Sequence, residues 1–490
     1  MKLVMNRCKA LVSVLACVVA MLPSCTGQVE LVLGEPVIIV QGIRPEEKLW
    51  GPYQFPVPYQ MGDRIVVSVH VSDDSFTSYA DPYRWFESRD GGKHWQEVSA
   101  AVADSCGTVL PDGDVVRLPM ENSKVLTGWK FESFDRLTPD YDFSCPAEEG
   151  CFPIPDGARG DLFGSIAYTY KAERLAPSLR DVKWAVSRFS CGEVIKDTAS
   201  VDWPGLSRVV HCNGGFNHPV LKSVFPRGYP RVGPDGRLWV TAFSGEGHIS
   251  RKTGVYSPYY SALLFVSDDG ARSFRMVAEM EYPADGTREY PYASGGFSDS
   301  DIAFFPDGSM VWFFRSNWYG TTGQEWSPMY WSRSEDEGKS WSKPVVFSFC
   351  GTLPRVATLE CGTSIVVYGR PGIFVQASLD RGGKHWSEPL EVMTASDRSS
   401  LANIPIENPT FHEYDGAGGN PEIIPLDADT ALLVYSDFYV PDSKGIKRKS
   451  ILCRTIFLSL NHSVYEFVRG KGNDGSSLEM MVSGDCNQTS

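Results

Sequence analysis

The side chains of this sequence that could act on a substrate are carboxylates and arginines placed where apolar runs begin or end. A pair of carboxyl groups can donate and accept protons at one bond, and a planar guanidinium can bind a carboxylate through two parallel hydrogen bonds. Asp81 and Asp299 are the candidate carboxyl groups, and Arg315 and Arg370 are the candidate arginines. Whether they can meet depends on the elements that carry them.

A short motif recurs four times along the chain. Ser88–Trp95 has the pattern S-x-D-x-G-x-x-W and Ser334–Trp341 repeats it, while a weaker copy starts at Ser267 and a copy with one extra residue starts at Ser378. In such a turn the Asp side chain accepts backbone N–H bonds, the glycine takes a positive φ, and the aromatic residue packs beneath the loop. The motif therefore predicts four similar β-hairpin turns.

Six Gly/Asp turns, each followed by a short alternating apolar strand, form the second periodic feature. They lie at 62–63, 112–113, 235–236, 307–308, 360–362 and 427–429. Each turn is expected to join the first and second strands of a four-stranded unit. The recurring motif follows in four of these units. The pattern predicts an all-β fold, a six-bladed β-propeller of four-stranded blades over residues 28–468, which solves the sheet-edge problem by radial repetition.

Three segments depart from this regular pattern. Residues 28–40 are expected to supply a strand from the opposite terminus. Residues 119–183 form a long insertion within the second blade, rich in Pro and Cys, and the third strand of that blade is expected at 183–186. Residues 469–490 have the composition of a weakly ordered tail.

Strand direction sorts the candidate residues onto one face of the predicted propeller. Strands alternate in direction, so the Gly/Asp turns and the recurring motif share one face, and the residues before first strands and after second strands share the other. The first group is Gln54, Tyr229, Arg231, Asp299 and Asn420. The second group is His70, Asp73, Asp74, Asp81, Glu246, His248, Arg315, Arg370, Tyr435 and Asp437. Aromatic residues in the same loops, such as Trp318, could stack on sugar rings.

The recurring motif resembles the Asp-box of the sialidase superfamily. Members of that superfamily bind a carboxylate with three arginines and use a tyrosine nucleophile paired with a glutamate, together with an aspartate as acid/base. Arg315, seven residues after Gly308, matches the second arginine, and Arg370, eight residues before Ser378, matches the third. On this resemblance Asp81 is the expected acid/base.

Three positions depart from the pattern of the superfamily. Gln54, in Tyr53–Pro56, stands where the first arginine is expected. Asp299 occupies the place of the glutamate and is one methylene shorter. Asn420 lies near the position of the nucleophilic tyrosine, and an amide is not a nucleophile.

These residues predict a sialidase-like glycoside hydrolase acting on complex glycans. Asp81 and Asp299 would be the catalytic pair, and an acidic sugar such as a uronate or sialate would be bound. The expected substrate-binding residues are Arg315, Arg370, Gln54, Asn420, Tyr435 and Trp318. Two alternatives stay open: a propeller that binds glycan without turnover, favoured by Gln54 and Asn420, and a uronate lyase with a histidine base, for which the candidates are His70, His248 and His412.

The amino-terminal residues indicate export. Basic residues followed by an apolar stretch make 1–24 a signal peptide, too short for a membrane span. Leu22–Cys25 resembles the lipobox of bacterial lipoproteins, so Cys25 is the expected lipidation site. The protein is expected to attach to a membrane only through this lipid. The expected location is the cell envelope, facing the periplasm or at the cell surface.

Composition and motifs exclude several other classes. The 490 residues carry a net charge of −14, with no basic run that could bind nucleic acid. No phosphate-binding loop and no nucleophile elbow is present in the sequence. No two cysteines have the C-x-x-C spacing of a zinc site, so the sequence predicts neither a metal nor a cofactor.

Overall fold

The computed structural model describes most of the chain between residues 28 and 485. The described ranges are 28–42, 51–72, 82–118, 124–125, 157–160, 165–175, 177–213, 220–221, 224–226, 229–245, 247–282, 295–316, 328–348, 351–369, 372–393, 420–461, 463–471 and 477–485. The chain divides into two compact units, residues 33–457 and a second unit made of 1–32 and 458–490. Nearly all regular structure in the described ranges is β-strand.

The first part of the chain forms sheet 1 and the strands around it. The bounds are β1 (Gln28–Leu33), β2 (Val37–Gln41), β3 (Gln54–Met61), β4 (Arg64–His70), β5 (Arg84–Ser88) and β6 (Gln96–Val98). Sheet 1 is the antiparallel meander β3-β4-β5-β6. A four-residue helix, Ala100–Ala103, follows it.

The middle of the chain contains sheets 2 and 3 and an additional sheet. The bounds are β7 (Thr108–Val109), β8 (Val115–Arg117), β9 (Lys124–Val125), β10 (Gly157–Gly160), β11 (Ser165–Lys171), β12 (Val182–Ser190), β13 (Glu193–Asp202), β14 (Ser207–Asn213), β15 (Val220–Leu221), β16 (Val224–Pro226), β17 (Arg231–Val232), β18 (Leu238–Ser244), β19 (His248–Ile249), β20 (Tyr256–Ser257), β21 (Ala262–Ser267) and β22 (Ser273–Met280). A 3₁₀ turn, Ala172–Arg174, and a helix, Pro177–Arg180, precede β12.

The last part of the chain forms sheets 4, 5 and 6 and a final hairpin. The bounds are β23 (Phe297–Phe304), β24 (Met310–Ser316), β25 (Met329–Ser334), β26 (Val345–Ser348), β27 (Thr352–Thr358), β28 (Ser364–Gly369), β29 (Ile373–Ala377), β30 (Leu390–Met393), β31 (Glu422–Pro425), β32 (Thr430–Pro441), β33 (Lys447–Asn461), β34 (Ser463–Lys471) and β35 (Ser477–Asp485). Sheets 4 and 5 are the meanders β23 to β26 and β27 to β30.

Sheet 6 combines strands from both ends of the chain. It contains β31, β32 and β33, and β2 pairs with β33 through Val37 opposite Cys453 and Gln41 opposite Ser450. In the second unit, β34 and β35 form an antiparallel hairpin that overlaps the segment predicted as a weakly ordered tail.

No helix among the described residues is long and apolar enough to cross a membrane.

All six Gly/Asp turns join a first strand to a second strand, as the sequence predicts. The joined pairs are β3 with β4, β7 with β8, β17 with β18, β23 with β24, β27 with β28 and β31 with β32. At the fourth turn Gly308 has a φ of 83°, a conformation that costs an L-residue energy but suits glycine. The residues of each turn therefore determine where the first strand ends and the second strand begins.

The second and third sheets are fused. Sheet 3 contains β18, β21 and β22, with β16 and β17 both paired to β18. Sheet 2 is β7-β8-β12-β13, in which β12 contains the third strand expected at 183–186. Its last strand runs parallel to the last strand of sheet 3, with Ser200 opposite Ser273 and Asp202 opposite Arg275. The additional sheet β10-β11-β14-β15-β9 draws strands from two loops of sheet 2, so the inserted structure extends past the predicted 119–183.

The apolar core lies between successive sheets of the 33–457 unit. Trp184 and Phe265 pack between sheets 2 and 3, and Leu264 and Trp312 pack between sheets 3 and 4. Similar clusters lie between sheets 4 and 5 and between sheets 6 and 1. Several first strands also lie side by side: β7 with β17, β23 with β27, β27 with β31 and β31 with β3. In sheet 3 the second strand, β18, contacts β23. Each of these sheets therefore buries apolar side chains against a neighbour.

The four copies of the recurring motif adopt the predicted turn. Asp336 Oδ1 accepts a hydrogen bond from the Ser340 backbone N–H at 2.8 Å and another from the Ser334 hydroxyl at 2.8 Å. Trp341 Nε1 donates to the Gly338 carbonyl at 3.1 Å, and the same indole bond closes the turn at Trp386. Hydrogen bonds from the Ser340 hydroxyl, the Ser340 backbone N–H and the Ser334 hydroxyl lower the pKa of Asp336 to about 2.

The Gly/Asp turn of sheet 4 contacts the recurring motif of sheet 5. Ser309 Oγ, just after the turn of sheet 4, donates to the Gly382 carbonyl at 3.0 Å. The two features therefore share one end of these sheets, and the starts of the first strands point to the other end.

One glycine of the motif is expected to tolerate no side chain. Gly383 has a φ of 63°, and a Cβ there would lie 2.4 Å from the Phe305 ring and 2.9 Å from Val311. We expect Gly383→Ala to lose about 1–2 kcal/mol from the positive φ and about 1–3 kcal/mol more from overpacking. Gly308→Ala is the matched control, since its φ is also positive but nothing lies within 4 Å. Equal denaturant midpoints for the two variants would contradict the packing argument.

Candidate functional site

An ion pair lies at the start of the first strand of sheet 4. Asp299 is the third residue of β23, and Arg315 ends the adjacent strand opposite Ser298. Arg315 Nη1 donates to Asp299 Oδ2 at 3.1 Å, with the carboxylate 6% exposed and the guanidinium 22% exposed. The sequence predicted both residues separately for this site, and the structure brings them into contact.

The backbone is irregular where the first strands begin. The register of the first strand against its partner shifts between Gln54 and Val57, between Ser298 and Ser300, and between Thr352 and Arg355. In these same stretches Phe55 and Leu353 have positive φ values of 52° and 49°. Such bulges and strained residues cluster at binding and active sites, where they aim side chains away from the regular sheet.

Several buried polar atoms at these strand starts have no hydrogen-bond partner in the part of the chain that the structure describes. Both amide atoms of Gln54 are among them, as are Asn420 Nδ2 and Arg315 Nε. Ser298 Oγ and Ser300 Oγ belong to the same set. An unsatisfied buried polar group costs about 1–3 kcal/mol. A hydroxyl-rich ligand that bonded to these atoms would remove that cost.

Further along the same strands lies a network of buried charges. Arg231 and Asp301 form a bidentate ion pair, and Asp301 Oδ2 also accepts the backbone N–H of Val356 at 2.9 Å. Arg355 Nε donates to Glu422 Oε1 at 2.8 Å, and both side chains are almost fully buried. The Arg355 guanidinium lies 5.8 Å from the centre of the Tyr229 ring. The network joins sheets 3, 4, 5 and 6.

Sequence reasoning selected Tyr229 and Arg231 but missed Asp301, Arg355 and Glu422. The signal available was a charged residue within an otherwise apolar first strand, as in TLPRVAT. The sorting rule considered positions before the first strands, and these three residues lie within the strands themselves.

Burial governs the titration of this network. It raises the pKa of Glu422 to about 7, because the desolvation of the carboxylate outweighs its attraction to Arg355. Burial also raises the pKa of Tyr229 well above its usual value. Glu422 Oε2 has no hydrogen-bond partner among the described residues. Glu422 is therefore a carboxyl group that can hold a proton near neutral pH.

Stability is expected to fall with rising pH because of Glu422. The folded-state pKa of about 7 lies above the usual 4.5, so between these values the folded protein holds a proton that the unfolded chain has released. The contribution is complete below about pH 4.5 and is lost as the pH rises to about 7, at no more than about 1.4 kcal/mol per pH unit. Urea unfolding from pH 5 to 8 should show a weaker pH dependence in Glu422→Gln. The same pH dependence in both proteins would contradict the assignment.

Other predicted residues lie in different surroundings. Tyr435 is buried, and burial raises its pKa to about 12 against the attraction of Arg454. His70 packs against Phe55 and Tyr83. His248 lies between Ser244 and Ser261, and burial lowers its pKa. Asp437 Oδ1 accepts the Tyr439 backbone N–H at 2.8 Å, and burial raises the pKa of Asp437.

The other predicted residues lie outside the described part of the chain. They are Cys25, Asp73, Asp74, Asp81, Glu246, Trp318, Arg370 and His412. The pairing of Asp81 with Asp299 and the convergence of Arg315 with Arg370 therefore stay predictions. Among the residues that the structure describes, no group of three or more His, Cys, Asp or Glu side chains could hold a metal ion.

Comparison with known proteins gives matches among solved structures. No protein-family model and no curated protein matches the chain. A protein of unknown function from Dyadobacter fermentans has 15% identity and a TM-score of 0.43, covering 88% of this chain and 99% of its own. An α-L-arabinofuranosidase from Fusarium graminearum has 13% identity and a TM-score of 0.42, covering 86% and 97%. A sialidase from Streptococcus pneumoniae has 12% identity and a TM-score of 0.41, covering 86% and 70%.

Proposed function

We propose that this chain is a six-bladed β-propeller that acts on complex glycans as a glycoside hydrolase of the sialidase type. The observation that carries the proposal is the contact between Asp299 and Arg315 at a bulged strand start. At the start of another first strand, the amide of Gln54 has no partner among the described residues. A carboxylate, a guanidinium and free amide atoms are the groups that bind and cleave sugars. Six successive sheets with packed first strands support the propeller.

The proposed chemistry assigns different roles to the two carboxyl groups. Asp299 lies against the Arg315 guanidinium and would act as base or nucleophile. Asp81 would donate the proton to the glycosidic oxygen. Arg315 keeps Nε free while Nη1 holds Asp299, so with Arg370 it would bind the carboxylate of a uronate or sialate.

A second candidate function is glycan binding without turnover. Gln54 and Asn420 favour it, because they place amides where the sialidase resemblance expects an arginine and a tyrosine. Amides donate and accept hydrogen bonds with sugar hydroxyls but do not attack the anomeric carbon. The lyase alternative gains no support from His70 and His248, which are buried in packing contacts.

We also propose that the protein is exported and held in the cell envelope by a lipid on Cys25. The support is the sequence of residues 1–25. Metabolic labelling of the full chain with a fatty acid, compared with a Cys25→Ser variant, would test this assignment.

A panel of glycans tests the function directly. The purified protein is incubated with sialosides, uronic-acid glycans and neutral oligosaccharides, and both released sugar and retained glycan are measured. Release of a saturated monosaccharide supports the hydrolase, and retention without product replaces it with the binding function. An unsaturated product indicates a lyase. The absence of both product and retention across the panel would overturn a role on glycans.

A further inference from the structure

A cavity lies at the seam between sheets 2 and 3, where β13 runs parallel to β22. Its volume is about 600 Å³, and it is lined by Arg180, Asp181, Val182, Lys183, Ser200, Val201, Asp202, Trp203, Arg208, Val266, Asp268, Ser273, Phe274 and Arg275. This is the size range of pockets that enclose small-molecule ligands. Neither Asp299 nor Arg315 contributes to its wall.

A buried arginine without a carboxylate partner forms one wall of this cavity. Arg208 is only 5% exposed, and its guanidinium donates to the carbonyls of Arg180, Gly205 and Ser207. In the described part of the chain no carboxylate lies within 4 Å of it. Burial lowers its pKa to about 10, so it stays charged at neutral pH. A buried cation is ordinarily paired with an anion, and Asp181 in the same wall attracts Arg208 without forming an ion pair with it.

Two further donors belong to the same wall. Trp203 is 7% exposed, stacks under the Arg208 guanidinium at 4.8 Å, and has an Nε1–H without a partner among the described residues. Lys183 is exposed, lines the cavity, and forms no ion pair with a described carboxylate. Arg180 and Arg275 line the cavity as well, so an anion there would meet four cationic side chains and an indole N–H that has no partner among the described residues.

The remaining polar groups select the kind of anion. Asp181, Asp202 and Asp268 also line the cavity, Asp268 in an ion pair with Arg275 at 3.3 Å, and these carboxylates would repel a free dianion such as sulfate. The same carboxylates accept hydrogen bonds from hydroxyl groups, as they commonly do around sugars. Val182, Val201 and Phe274 supply apolar surface for a ring. A hydroxylated ring with one negative charge satisfies all of these groups.

We propose that the seam cavity is a binding site for a monoanionic sugar of the uronate class, separate from the site at Asp299. The sugar carboxylate faces Lys183, Arg208 and the Trp203 indole, and the sugar hydroxyls face Asp181 and Asp202.

The test is calorimetric titration of the full chain with glucuronate, with glucose and sulfate as comparison ligands. Lys183→Gln removes one charge at the surface, and we expect it to weaken glucuronate binding about tenfold. Trp203→Phe removes the indole donor while keeping an aromatic ring, and is expected to weaken binding by about the same factor. Lys196→Gln is the control. This exposed lysine lies on β13, four residues before the lining residue Ser200, but does not itself line the cavity.

The outcomes separate this site from the Asp299 site. Glucuronate binding that depends on Lys183 and Trp203 but not on Lys196, and that exceeds the binding of glucose and sulfate, supports the proposal. Binding that is unchanged in both cavity variants lies elsewhere and overturns it. Sulfate binding as tight as that of glucuronate overturns the sugar assignment. Arg208 is left unchanged because its three carbonyl contacts hold the local backbone.

Discussion

Replacing Asp299 with Asn is expected to lower kcat on a cleaved glycan by about 10²–10⁴-fold, the usual contribution of a positioned acid or base. The substitution keeps an oxygen that can accept the Arg315 Nη1 bond observed at 3.1 Å, so the local geometry should survive. It removes the charge, and an amide can neither take up a proton nor form a glycosyl intermediate. The loss should therefore appear in kcat more than in KM.

A matched substitution separates catalysis from a general effect of charge. Asp112→Asn changes the same chemical group in the exposed Gly/Asp turn of sheet 2, where Asp112 Oδ1 accepts the N–H of Asp114. Its kcat should equal that of the unaltered protein. Thermal unfolding of both variants checks that they are folded. An Asp299→Asn variant that is folded and retains full kcat would remove Asp299 from the mechanism.

At a pH above the Glu422 pKa of about 7, where this carboxyl is charged, replacing Arg355 with Met is expected to destabilise the protein by about 3–5 kcal/mol, the cost of leaving one member of a buried ion pair without its partner. Both Arg355 and Glu422 are at most 5% exposed, so water cannot replace the lost guanidinium. The double variant Arg355→Met with Glu422→Leu should recover most of the loss, because an apolar pair of similar volume removes both buried charges.

Denaturant unfolding of the two single variants and the double variant measures this coupling. The three differences in free energy of unfolding form a double-mutant cycle, which isolates the interaction between the two side chains. Independent, additive effects would contradict a direct buried pair. None of the three variants changes Arg231 or Asp301, so the neighbouring ion pair is the same in every protein compared.

The sequence predicted the local features well because local chemistry decides them. A Gly/Asp turn is recognised from its own residues, and so is the Ser-Asp-Gly-Trp turn at Ser334, whose hydrogen bonds all lie within seven residues. Counting along the repeat placed Asp299 and Arg315 at the ends of their strands, although it did not predict that they contact each other. These predictions needed no knowledge of which sheets pack together.

The features missed from the sequence depend on contacts between distant segments. Arg355 and Glu422 are 67 residues apart, and no local pattern links them. The parallel pairing of β13 with β22 joins the fourth strands of two sheets, which the expected separate blades did not include. The strands β14 and β15 lie after the predicted insertion, whereas their partners β11 and β9 lie inside it, so the sequence did not show that these segments belong to one sheet.

The pairing of β2 with β33 has a consequence for how the protein is made. Arg454 on β33 donates to the Gly34 carbonyl across 420 residues of chain, and Val37 pairs with Cys453 close by. During synthesis the early strand emerges from the ribosome long before its partner exists. β2 can join sheet 6 only after β33 has been translated, so the edge of β2 stays unpaired until then. Long-range pairing of this kind is intrinsically slow. For an exported chain, this final step would take place beyond the membrane.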